Sequence, residues 1–155
     1  MLGYLNNKTE TEKIVKNGWL YTGDIGEIDN EGYLKITDRK KDIIVNAGGD
    51  NIAPSKIENL LANYPEIIQS YIYGDKKNYL VALIVVSKEL EDRKSKIKVI
   101  IDKVNQELSI IEKIKKFIII DDPFTIENQM LTPTMKIRRH QIKRVFGEQI
   151  EKLYF

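Results

Sequence analysis

The run Leu80-Val81-Ala82-Leu83-Ile84-Val85-Val86 carries no polar side chain. Successive side chains of a strand point to opposite faces, so a strand that is apolar throughout must be covered on both sides. This run therefore predicts a central strand with packing layers above and below it. The segment Ile67–Tyr73 precedes it across Gly74-Asp75-Lys76-Lys77-Asn78, a turn-forming stretch, so 67–73 and 79–86 read as a hairpin.

Helices supply the covering layers. After Pro54, Ile57, Leu60, Leu61 and Tyr64 recur at helical spacing, and Pro65 ends the run. Ser55 with Glu58 three residues on reads as a capping box. A second stripe holds Ile97, Ile100, Ile101, Val104 and Leu108; a third, from about His140, holds Ile142, Val145, Phe146, Ile150 and Leu153. Residues 116–120 read as a further strand, closed by Asp121-Asp122-Pro123. Earlier in the chain, 19–28 reads as one strand, Asp29-Asn30-Glu31-Gly32 as a turn, and Tyr33, Leu34 and Ile36 as the returning strand. Residues 38–42 are too polar for a core strand and read as a charged connector, followed by a short buried strand at Ile43-Ile44-Val45. The fold class is α+β: a small sheet with about three helices, preceded by a β-hairpin.

Composition narrows the chemistry. The 155 residues include 25 Lys and Arg against 23 Asp and Glu, a formal net charge of +2 that does not by itself call for nucleic acid. There is no cysteine, hence no disulfide framework and no thiolate metal site, in keeping with a reducing compartment. The single histidine, His140, stands in a basic run, which disfavours a histidine-based zinc site or a Ser-His-Asp triad. No metal-ligating set is assigned. No run approaches the roughly 20 apolar residues of a membrane span. Chemistry falls to Lys, Arg, Asp and backbone groups.

Four positions invite such chemistry, each with a plainer reading beside it. Asp24, in Thr22-Gly23-Asp24, can accept two hydrogen bonds from a vicinal diol, or simply bond its own turn. Arg39 offers a planar fork for ribose or phosphate oxygens, or is a surface arginine. Gly48-Gly49 lets backbone approach a ligand closely, or merely makes a turn. Lys136 follows Thr132-Pro133-Thr134-Met135 and could bring a positive charge to a phosphate or carboxylate. Otherwise it belongs to a solvated basic patch with Arg138, Arg139, Lys143 and Arg144, which would suit nucleic acid or an anionic surface but lacks aromatic interleaving.

Taken in order, Gly18-Trp19-Leu20-Tyr21-Thr22-Gly23-Asp24, Asp38-Arg39-Lys40-Lys41-Asp42, Gly48-Gly49-Asp50-Asn51-Ile52 and the segment around Lys136 resemble the carboxy-terminal part of the AMP-forming acyl-CoA synthetases. Within that adenylate-forming superfamily the similarity is greatest to the long-chain fatty-acid CoA ligases, and it spans nearly the whole chain. Two departures stand out. Many members carry Gly directly before the catalytic lysine, where this chain has Met135, as the long-chain branch tolerates. Many show Gly-Gly-Glu-Asn, where this chain has Asp50 and no role is assigned to it.

The resemblance implies roles. Asp24 and Arg39 would hold the ribose of the adenylate, and Lys41 would be the hinge. Gly48 and Gly49 would border the channel for CoA, and Lys136 would be the catalytic lysine of adenylation. Residues 1–37 would be the tail of a large domain and 38–155 a mobile lid. The parent enzyme would use fatty acid, ATP, CoA and Mg2+, the metal bound largely by the large domain, which also holds the phosphate loop, the adenine pocket and the acyl tunnel. The chain would thus be a piece of a longer cytoplasmic ligase, inactive by itself and partnered by its own N-terminal domain, with room for peripheral membrane association and no role for nucleic acid. The alternative is a basic α/β binding or regulatory module without catalytic activity.

Overall fold

In the computed structural model, which describes residues 1–155, the first helix is α1 (Lys8–Ile14). The Asn7 side chain caps it, accepting the Glu10 N–H at 3.1 Å. No residue of α1 is buried, so the sequence offers no apolar stripe by which to read it. Strands β1 (Val15–Lys16) and β2 (Trp19–Leu20) form a small hairpin around Asn17 and Gly18, both with positive φ. The chain turns again at Gly23 (φ 74°), so the single strand expected over 19–28 is broken, and β3 covers only Asp24–Ile28. Its antiparallel partner is β4 (Leu34–Arg39). The turn between them is held by Asp29, whose carboxylate accepts the N–H groups of Glu31 and Tyr33, each at 2.9 Å. The expectation of a connector over 38–42 holds only for 40–42, which form a turn. β4 runs through Arg39, and Asp38 is buried with its carboxylate accepting the Arg39 N–H at 2.7 Å.

These elements lie in one compact unit, Met1–Lys41; Asp42–Phe155 forms a second. The second unit opens with β5 (Ile44–Val45), paired to the unforeseen β6 (Asn51–Ile52), and continues into α2 (Pro54–Ala62). The expected capping box does not start α2. Its N-cap is Ala53, because Pro54 takes the first helical position, where its missing N–H costs nothing. Glu58 is drawn instead to β7 (Ile67–Tyr73), accepting the Ile72 N–H at 2.9 Å. A capping box does form at Ser109 and Glu112, ahead of a single 3-10 turn.

Strand β8 (Leu80–Val86) is central: it pairs antiparallel with β7 and parallel with β9 (Ile114–Ile120). A parallel partner needs a crossover, which α3 (Arg93–Glu107) supplies. The Asn105 side chain fixes where β9 begins, two residues before the expected start. It accepts the Ile114 N–H at 2.8 Å and donates to the Ile114 carbonyl at 2.9 Å. The last helix, α4, spans Arg139–Glu151. With α1 there are four α-helices, and the three expected from apolar stripes are α2, α3 and α4. None is long and apolar enough to cross a membrane.

No residue of β8 is more than 3% exposed, as its composition requires. Leu80, Ala82, Ile84 and Val86 pack with Ile57 and Leu61 of α2 and with Ile97, Ile101 and Val104 of α3. Val81, Leu83 and Val85 pack with Phe124 and Leu131 and with Ile142 and Ile150 of α4. Burying each such large aliphatic side chain is worth about 1.5–3 kcal/mol, so this strand anchors both layers.

Candidate functional site

In the first unit, Asp24 and Arg39 are direct cross-strand partners at the mouth of the β3–β4 ladder. Asp24 Oδ1 lies 3.1 Å from Arg39 Nε, and the Asp24 N–H is held by Thr22 Oγ1 at 3.1 Å. The Arg39 side chain is half-exposed and the Asp24 side chain partly so. Acceptor and donor side by side are the set a ribose diol needs.

Lys41 is the last residue of the first unit and is exposed. The next residue, Asp42, belongs to the second unit and stands 4.0 Å from Arg139 Nε. Arg139 is the surprise of the basic run. Its guanidinium forks onto Glu58, with Nη2–Oε2 at 2.6 Å and Nη1–Oε1 at 2.9 Å, and lies 5.5 Å from the Tyr71 ring centroid. Burial disfavours its charge, but Glu58, Tyr71 and Asp42 together outweigh that, so its pKa sits above the usual arginine value. Burial also pushes the Tyr71 hydroxyl up, against the nearby Arg139 cation. The plainer reading of Arg139 as a solvated patch residue is therefore wrong. Lys143 is likewise engaged, 5.1 Å from the Tyr73 ring centroid.

Gly48 and Gly49 form the turn between β5 and β6. Gly49 has φ 87°, a conformation that side chains resist. Asn46 and Asp50 clasp the turn: Asn46 Oδ1 accepts the Asp50 N–H and Asn46 Nδ2 donates to Asp50 Oδ2, both at 2.9 Å. Asp50, assigned no role from the sequence, thus closes this loop. A Cβ on Gly48 would come within 3.3 Å of both clasping side chains, whereas one on Gly49 would meet nothing within 4 Å.

Lys136 sits on a second tight turn, closed by a bridge between Leu131 and Ile137. Thr132 holds it from both ends. Its N–H donates to the Lys136 carbonyl at 2.8 Å and its hydroxyl accepts the Lys136 N–H at 3.0 Å. Met135, before the lysine, has φ 62°, the left-handed region. That backbone explains why glycine is the common residue here in the family resembled. The Lys136 side chain is exposed, a point charge on a braced loop.

The two turns are rooted in different cores. Ile44 and Ile52, which flank the glycine turn, belong to the α2–α3 face of the sheet. Leu131 and Ile137, which flank the lysine turn, belong to the α4 face. The flanks of the two turns thus pack on opposite sides of β8.

The family model for the AMP-binding enzyme C-terminal domain matches residues 41–155. The chain belongs to that family. This AMP-binding C-terminal domain and its preceding unit are 36% identical to the long-chain-fatty-acid–CoA ligase FadD15 of Mycobacterium tuberculosis, over 98% of the chain and 29% of that protein. Long-chain-fatty-acid–CoA ligase 5 of Rattus norvegicus is also 36% identical, over 98% of the chain and 26% of the relative. The chain thus spans under a third of the length of the curated relatives it matches. Among solved structures, the A domain of a carboxylic acid reductase from Segniliparus rugosus, in complex with AMP and a co-purified carboxylic acid, superposes with a TM-score of 0.86 at 31% identity, covering 98% of this chain and 26% of that one. The O-succinylbenzoate CoA synthetase of Bacillus subtilis, in complex with AMP, gives 0.71 at 29% identity, covering 91% and 27%. The fold is that of the C-terminal domain of adenylate-forming enzymes.

Proposed function

We propose that the whole protein is an AMP-forming long-chain fatty-acid CoA ligase, and that this AMP-binding C-terminal domain serves its two half-reactions in turn. The observation that supports the reading is that the residues flanking the Lys136 turn and those flanking the Gly48–Gly49 turn pack into different cores, one on each side of β8. Adenylation joins a fatty-acid carboxylate to the α-phosphate of ATP and releases pyrophosphate. Negative charge grows at phosphorus, and an exposed Lys136 is suited to stabilise it more in the transition state than in the ground state. Asp24 and Arg39 would orient the ribose. Thioester formation needs a different surface, because the CoA thiol must reach the acyl carbon along a channel. At Gly49 the turn offers backbone with open space beside it. Rotation of the second unit about Lys41 would exchange the two turns.

Mg2+, when bound, would neutralise charge on the leaving pyrophosphate. The chain brings together no group of three or more His, Asp or Glu side chains that could hold a metal ion, and the reading places its ligands in the rest of the protein. The reading places the ligase in the cytoplasm, with room for peripheral membrane association. One relative, from Arabidopsis thaliana, is named as peroxisomal.

In the full-length enzyme, Lys136→Ala should lower adenylate formation, read by pyrophosphate exchange, by about two to three decades. It should largely spare thioester formation from supplied acyl-adenylate. Equal loss of both steps would overturn the role of Lys136. The 155-residue chain alone should show no pyrophosphate exchange.

A further inference from the structure

The glycine turn does not stand alone. Three hydrogen bonds fasten its first strand to the turn between β7 and β8. The Val45 N–H donates to Asp75 Oδ1 at 3.4 Å, the Lys76 N–H to the Val45 carbonyl at 2.8 Å, and the Ala47 N–H to the Lys77 carbonyl at 2.9 Å. Gly74 starts that turn, and a Cβ there would come within 2.3 Å of Leu80 Cδ2, so it is packed tightly on the core.

The same turn is gripped from its other side by the chain's last residues. Lys77 Nζ donates to Glu151 Oε2 at 2.5 Å and lies 4.7 Å from the Tyr154 ring centroid. The Tyr154 hydroxyl lies 3.3 Å from the Tyr73 carbonyl and 3.2 Å from the Tyr79 carbonyl, bridging the two flanks of the turn. The Tyr79 hydroxyl returns a bond to the Leu153 carbonyl at 2.8 Å, and the Tyr79 and Tyr154 ring centroids are 4.9 Å apart. Lys77 is the shared member: its carbonyl holds the glycine turn and its ammonium holds the C-terminal segment.

We propose that Lys77, Glu151 and Tyr154 are positioning residues for the thioester half-reaction, forming a clamp that fixes the Gly48–Gly49 turn against the rest of the second unit. The proposal rests on the reading of that turn as the surface met by the CoA chain. The clamp touches no substrate and acts only through Ala47 and its neighbours. Adenylation, served by the Lys136 turn, does not depend on it.

The test uses Glu151→Gln and Tyr154→Phe in the full-length ligase, together with amide hydrogen exchange on the 155-residue chain. Each variant keeps its side chain's shape; Glu151→Gln removes the charge that holds Lys77, and Tyr154→Phe removes the hydroxyl that bonds the Tyr73 and Tyr79 carbonyls. Exchange at Ala47 should quicken by about threefold to tenfold, while amides of β8 keep wild-type rates, which separates local loosening from global unfolding. The KM for CoA should rise by a similar factor with pyrophosphate exchange unchanged. Reversing the pair, Lys77→Glu with Glu151→Lys, should restore part of the loss, which a bystander role would not allow. Gly49→Val tells the two ideas apart. If it slows the thioester step while the clamp variants leave Ala47 exchange and the CoA KM at wild-type values, the clamp is overturned and the reading of the turn stands. If Gly49→Val has no effect on that step, the reading of the turn falls and the clamp with it.

Discussion

Arg139 and Glu58 lie 81 positions apart and close a two-pronged ion pair that ties the start of α4 to the middle of α2. Glu58 also accepts the Ile72 N–H, and Arg139 reaches toward Asp42, the first residue of the second unit. One guanidinium thus links both helical layers, the sheet and the residue that follows Lys41.

Breaking that pair should be among the costliest single changes in the second unit. Both side chains are mostly buried, so Arg139→Ala strands a carboxylate and should cost about 3–5 kcal/mol. Arg139→Lys keeps the charge but loses the fork, and should recover only part of the loss. Urea denaturation followed by circular dichroism measures both. A loss below about 1 kcal/mol for Arg139→Ala would show the pair to be dispensable.

Met135→Gly should stabilise the chain, by about 0.5–1 kcal/mol. Relief of a left-handed methionine is worth about 1–2 kcal/mol, and part is returned as the greater freedom of glycine when unfolded. The same denaturation curves give the sign.

The two glycines of the β5–β6 turn should respond differently to alanine. At Gly49 the cost is backbone strain at φ 87°, about 1 kcal/mol, and Gly49→Asn should be milder than Gly49→Ala. At Gly48 the new Cβ presses on Asn46 and Asp50. Gly48→Ala should therefore shift the side-chain amide resonances of Asn46, which Gly49→Ala should leave nearly in place.

Glu112 should make a small acid-sensitive contribution. Burial raises its pKa, but hydrogen bonds from Lys56 and Ser109 outweigh that and hold it below its ordinary value of 4.5. The folded form therefore binds its proton less readily than the unfolded form. The stabilisation is present above about pH 4.5 and is lost as pH falls through the lower folded value. Half-exposed Lys56 limits it to under about 1 kcal/mol. Glu112→Gln should narrow the stability gap to wild type as pH drops below that range, in denaturation curves taken at successive pH values.

The layers of the second unit were legible because burial leaves a periodic trace. An unbroken apolar strand and three apolar stripes place β8 and its helices. Elements that bury little leave none: α1 rests on its Asn7 cap, and β6 is two residues long. The Ser55–Glu58 spacing misled because proline set the helix start and a distant arginine claimed the glutamate. Arg139 looked like one charge among several because its partner is far away in sequence. For Met135 there was a signal, the glycine usual at that position, but only the backbone angle gives it meaning.

The chain has a single tryptophan, Trp19, and it is 74% exposed in the first unit. The second unit holds tyrosines but no indole. Excitation at the red edge of protein absorbance will therefore light up one body and leave the other dark. Emission from that lone fluorophore, quenched by or transferring to a dye placed on the second body, gives an intrinsic optical ruler that tests the proposed rotation about Lys41.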